Sequence, residues 1–139
     1  YAISSKKGKK KLFFYHNKSP INTLDEKVSM YQKAKVNKVK EIDVITLDDV
    51  LSFTDIKKIN FLNIDVEGHE ESVLLGALRL LEDSKPVLLV EIEERHKPDS
   101  INTVNTFLEE YGYEGFFLLD DILIPINNFS IRSHQEKEF

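Results

Sequence analysis

Read for its apolar rhythm, the second half of the chain resolves into alternating strands and helices. The pattern predicts a strand over residues 59–66, a helix over 70–82, a strand over 86–92, a helix over 100–111, and two short strands over 113–118 and 123–126. Within "PVLLVEI" the run "VLLV" is continuously apolar, as required of a parallel strand covered by helices on both faces. Strands alternating with helices at this spacing indicate βαβ units in a mostly parallel sheet. The last pair, "EGFFLL" and "ILIPI" with Asp120 and Asp121 between them, reads as an antiparallel hairpin closing the sheet edge.

The first half is less regular. "YAIS" reads as the end of a strand, and "SSKKGKKKLFF" as a lysine-rich hairpin in which Gly8 supplies the positive φ of a tight turn. Lysines on an exposed strand edge discourage edge-to-edge pairing. "LFFY" is a short aromatic strand. Residues 17–37 are polar, carry Pro20, and are expected to form a surface insertion. "EIDVITLDDVLSF" alternates at Ile42, Val44 and Thr46 and then starts a short helix near Leu47 or Asp48. One domain over residues 1–139 accounts for all of this, without internal repeats.

Composition narrows the function classes. With 41% hydrophobic and 31% charged residues the chain resembles an ordinary globular domain, and no apolar run approaches the roughly 20 residues that cross a bilayer. A formal net charge of −5 argues against nucleic acid as a partner, because phosphate-backbone affinity comes from many lysine and arginine contacts. The absence of cysteine removes disulfides, thiolate metal sites and cysteine nucleophiles, and fits a cytoplasmic setting.

The chemistry is concentrated at "NFLNIDVEGHEES". In open α/β sheets ligands bind beyond the carboxyl ends of the strands, and two strands end in acids there: Asp65 and Glu67 after the first, Glu91 and Glu93 after the second. Side chains two positions apart in a strand share a face, so each pair is expected to present both carboxylates to one side, and neighbouring strands would bring the pairs together. Such oxygen-only clusters suit Mg²⁺ or Ca²⁺. A plainer reading stands beside this one. Glu70 and Glu71 fall in a first helical turn, where negative charge is favoured by the helix dipole, Gly68 is the hinge of the bend, and Gly76 marks a close approach of helix to sheet. His69 is either a base beside the corner or a solvated first-turn histidine. His96, in "EERHKPD", is expected in a solvated loop past the strand, a loop that would rim the same crevice, while His16 and His134 have no constellation around them.

"FLNIDVEGHEESVLLGALRLLEDSKPVLLVEI" resembles the FkbM-type methyltransferases. Their signature is a strand ending in Asp-x-Glu-Gly-x-Glu, then a helix with Val-Leu-x-Gly-Ala, then a Pro-led apolar strand ending in Glu. Asp65, Glu67, Gly68, Glu70, Val73, Leu74, Gly76, Ala77, Pro86 and Glu91 fall on that pattern, whereas Asn63 stands where the family usually has lysine. The resemblance implies a Rossmann-like class I methyltransferase sheet that binds S-adenosylmethionine on a glycine-rich first strand and turn. The five glycines here are isolated, with no Gly-x-Gly, so the chain is expected to correspond to the third strand onward, without the first two.

An O-methyltransferase acting on a hydroxyl of a sugar or other small metabolite is the function this implies. Methyl transfer to a hydroxyl needs aligned reactants and a route for the hydroxyl proton. Asp65, Glu67 and His69 are the candidate catalytic residues, Asp65 also a candidate cofactor contact, and Asp65 with Glu91 the candidate pair for a divalent ion, Mg²⁺ in the first instance. Two other classes compete. A non-catalytic, partner-binding α/β domain would show an exposed apolar sheet edge open to oligomerisation, and a metal-dependent hydrolase would need clustered histidines.

Overall fold

The computed structural model describes residues 1–15, 22–24 and 36–135 of the chain. His16 and most of the insertion expected at 17–37 lie outside the described residues. The strands β1 (Ala2–Ile3), β2 (Gly8–Tyr15), β3 (Asn22–Thr23) and β4 (Val36–Ile45) form one sheet in the order β1-β4-β2-β3. The helix α1 (Leu47–Ser52) follows, then β5 (Phe61–Ile64), α2 (Glu70–Leu75), α3 (Leu78–Asp83), β6 (Val87–Val90), α4 (Ser100–Glu110), β7 (Phe116–Leu119), β8 (Ile122–Pro125), a 3-10 turn at Ile126–Asn128 and α5 (Ile131–His134).

The α/β class is as expected, but the described strands fall into three sheets rather than one mostly parallel sheet. β5 and β6 pair in parallel, β7 and β8 antiparallel, and in the first sheet β4 is parallel to β1 but antiparallel to β2. The lysine-rich segment also departs from the expected hairpin. Ala2 and Gly8 are both in register with Val44, so β1 and β2 lie on opposite sides of β4 and do not form a hairpin with each other. A backbone ladder from the long β4 carries β2 through "GKKK", a stretch whose polarity hides it as a strand. The C-terminal hairpin forms where expected, with Asp120 and Asp121 at φ 48° and 63°. Two successive left-handed residues make the turn that matches strand twist in a two-residue loop.

The helix expected over 70–82 is broken into α2 and α3. A Cβ on Gly76 would lie 2.2 Å from the Ser4 carbonyl oxygen, so glycine admits the end of β1 against the helix. The Gly76 carbonyl accepts from the Asp48 amide at 3.0 Å, and the Asp48 carboxylate accepts from the amides of Arg79 and Leu80, both at 3.0 Å. Asp48 thus caps α3, satisfying amides that the break leaves without intrahelical partners. Thr46 caps its own helix α1 with a reciprocal Thr46–Asp49 capping box.

One apolar cluster joins these parts. Ile64, Val73, Leu74, Ala77, Leu80, Leu81 and Val104 are buried together, with Ile3, Leu47, Leu88, Val90 and Phe107 packed against them. The inner face of β5–β6 therefore rests on α2, α3 and α4. Its outer face, with Phe61, Val87 and Leu89 between 56% and 66% exposed, is open.

Candidate functional site

β5 and β6 run in register, Ile64 beside Val90, and the Glu91 amide donates to the Ile64 carbonyl at 2.9 Å. The acids that follow the two strands therefore leave the sheet at the same end. Asp65 and Glu91 continue that register by one residue and are both exposed. They are neighbours, as the reading of the strand ends required, but they are not the centre of the tight cluster.

The expectation that Asp65 and Glu67 share a strand face fails, because strand alternation ends at Ile64. Glu67 has φ 51° and Gly68 φ 89°, two left-handed residues in succession. For glutamate that conformation costs on the order of 1–2 kcal/mol. Its surroundings hold it: the Thr23 hydroxyl donates to the Glu67 carbonyl at 3.0 Å, and the Gly68 amide donates to Glu70 Oε1 at 2.8 Å. The turn separates Glu67 from exposed Asp65 and sets it beside the loop after β6. Strained backbone at a non-glycine residue is a feature that clusters at functional sites.

Across the corner, Glu93 pairs with Arg95, and His96 lies buried with its Nε2 3.2 Å from Glu67 Oε2. The expected solvated loop around His96 is thus corrected: the imidazole is 3% exposed. One ligand atom from each of Glu67, Glu93 and His96 lies within 4.8 Å of the others. Among the described residues the group of three with metal-ligand spacing is this one, of mixed oxygen and nitrogen donors; Asp65 and Glu91 are not members of it. Burial pushes the Glu67 carboxyl above its ordinary value, helped by the charges of Glu93, Asp65 and Glu91 and opposed by Arg95. Burial likewise holds His96 below the usual imidazole value, a tendency Glu93 opposes and Arg95 reinforces. All four strand-end acids thus share one electrostatic environment.

His69 is 6% exposed and so is not a solvated first-turn histidine. Its Nε2 is 3.1 Å from the hydroxyl of fully buried Ser4, which ties the start of α2 to the end of β1. Glu71 pairs with Lys97, linking α2 to the loop after β6. His134 stacks on Phe117 at 4.7 Å and on Phe129 at 5.4 Å, and its Nδ1 accepts from the Ser130 amide.

Two positioning residues carried no recognisable sequence signal. Glu94 accepts from the amides of Asp99 and Ile101, at 2.6 and 2.8 Å, and so caps α4. Gln135 donates to the Ile92 carbonyl at 2.6 Å and accepts from the Glu94 amide at 3.1 Å, bracketing Glu93. The cluster role of His96 had a partial signal, since the loop after an acid-ended strand would rim the same crevice.

Paired parallel strands that discharge carboxylates into one corner, with helices packed on the inner face, define the site end of an α/β domain. A family model described as the methyltransferase FkbM domain matches residues 2–114, and the chain belongs to that family. No curated protein and no solved structure matches the chain significantly. The match takes in all four strand-end acids and His96, while Gln135 lies beyond it.

Proposed function

We propose that the chain serves an S-adenosylmethionine-dependent O-methyltransferase of Rossmann-like class I architecture, working in the cytoplasm on a hydroxyl of a sugar or other small metabolite. The observation that supports this reading is the convergence of Glu67, Glu93, Asp65 and Glu91 at one end of two parallel strands, with the Glu67 carboxyl raised above its ordinary value. A raised carboxyl is the better proton acceptor. Glu67 is accordingly the residue to receive the acceptor's hydroxyl proton, and exposed Asp65 is the one to contact the donor. A corner of four carboxylates with Arg95 as the nearby cation fits a positively charged sulfonium. S-adenosylmethionine supplies, when bound, the electrophilic methyl group. On this reading the glycine-rich donor-binding strand and turn belong to sequence outside these 139 residues. His69, bonded to Ser4, is a positioning residue of the α2 start rather than the base.

A partner-binding α/β domain without catalysis is the second reading, favoured by the open apolar face of Phe61, Val87 and Leu89. Calorimetric titration of S-adenosylhomocysteine into this chain, and into the longer protein where its gene encodes one, separates the two. Saturable binding by the longer protein only, weakened by Asp65→Ala, supports the methyltransferase; binding by neither favours the partner domain.

A further inference from the structure

The corner holds an unresolved pair of polar atoms. Glu67 Oε2 and His96 Nε2 are both buried and 3.2 Å apart, yet they lie outside hydrogen-bonding geometry, and no other described group bonds either of them. Buried polar atoms are paired in the great majority of cases, and an exception calls for a physical reason such as an ion. A third group, Glu93, brings a carboxylate oxygen within 4.8 Å of both.

We infer that Glu67, Glu93 and His96 form a binding site for a divalent first-row transition ion of the series from Mn²⁺ to Zn²⁺. Donors of about 2.0–2.2 Å bond length sit roughly 3.0–3.4 Å from one another in octahedral or tetrahedral sites. The 3.2 Å separation of Glu67 and His96 already has this value. Glu93, with a ligand atom within 4.8 Å of the other two and a side chain 18% exposed, can complete the set by a rotamer adjustment. Imidazole beside two carboxylates selects against Mg²⁺ and Ca²⁺, which take oxygen ligands, and in favour of ions that accept both donor types.

Arg95 is the internal competitor. Its guanidinium pairs with Glu93, with Nη2 to Oε1 at 2.9 Å, and an ion must share or displace that contact. Held at the strand ends, the ion would acidify an alcohol bound to it, and Glu67 as its ligand would then not be the free proton acceptor that it is in the ion-free corner. The site itself rests on side-chain geometry and is independent of the methyltransferase reading.

The test uses the whole 139-residue chain, stripped with a chelator, and needs no methyl donor. Mn²⁺ binding is followed by loss of the free-ion paramagnetic resonance signal, and Co²⁺ binding by its visible absorption. One saturable ion per chain is expected, with thermal stability rising on its addition. His96→Gln and Glu67→Gln should each weaken binding by about 10-fold or more, the scale on which even supporting residues act, and Arg95→Gln should tighten it. Circular dichroism verifies that each variant folds. Should His96→Gln unfold, the Co²⁺ spectrum of the unaltered chain decides, since nitrogen ligation shifts its bands relative to an all-oxygen site. Absence of saturable binding, equal affinity in His96→Gln, an all-oxygen Co²⁺ spectrum or a preference for Mg²⁺ over Mn²⁺ would each overturn the inference.

Discussion

Glu70 shows how a carboxylate that serves architecture acquires an altered acidity. It is 4% exposed, and burial raises its pKa although the Gly68 amide bond and its own backbone work the other way. A raised native pKa means that the native state holds more protons than the unfolded chain between the ordinary carboxylate value, near 4.3, and the raised one. Stability from this side chain is therefore present at low pH and is lost as pH rises through that window. Glu70→Gln keeps an acceptor for Gly68 without the charge. Its urea midpoint should gain on the unaltered chain as pH rises from the ordinary carboxylate value to neutrality; parallel curves would show that Glu70 does not titrate in that interval. The acids themselves were legible from their strand-end placement, and Gly76 from its cost inside a helix. The contacts of the histidines were not. His69 meets Ser4, 65 positions away, and the sequence set the loop of His96 at the rim of the crevice without showing its approach to Glu67.

α2 and α3 were expected as one helix because their apolar residues share one continuous helical spacing, and that spacing does survive the break, with Val73, Leu74, Leu80 and Leu81 all buried. What divides them is the backbone of Ser4, just past β1, against Gly76 and the two hydrogen bonds that the Asp48 carboxylate accepts. Asp48 looks like an ordinary first-turn acid of α1, where the dipole favours it, but its structural task is at the start of α3. Replacing it with alanine removes the acceptor of the part-buried Leu80 amide and of the exposed Arg79 amide, and should cost about 0.5–2 kcal/mol in chemical denaturation. Asp48→Asn should recover part of that loss, since one oxygen can still accept. A cost no larger than that of Asp55→Ala, an exposed acid of the following loop, would remove the capping role. Strand boundaries moved for a comparable reason: β5 and β6 are shorter than their apolar runs because parallel pairing ends with Ile64 and Val90.

Taken as a whole, the molecule has one covered and one uncovered side of its parallel strands. Parallel sheets are normally covered on both faces, yet Phe61, Val87 and Leu89 share the open side of β5–β6 with Asn63. No helix among the described residues is long and apolar enough to cross a membrane. Contiguous apolar surface of this kind favours association. Sedimentation velocity is expected to show concentration-dependent association that Val87→Thr with Leu89→Lys abolishes. A chain that stays monomeric to its solubility limit and binds no hydrophobic dye would contradict this.

Local physics settled the elements and the chemistry available at their ends. Side-chain periodicity, turn residues and the signature from Asp65 to Glu91 act over a few positions, so they can be read without knowing the fold, and the family followed from them. Contacts between distant segments settled the remainder: the splitting of the strands into three sheets, the cap that Asp48 gives to α3, and the meeting of Glu67, Glu93 and His96. Those outcomes depend on which backbones and carboxylates come within hydrogen-bonding reach after packing, and separation along a sequence carries no information about that distance.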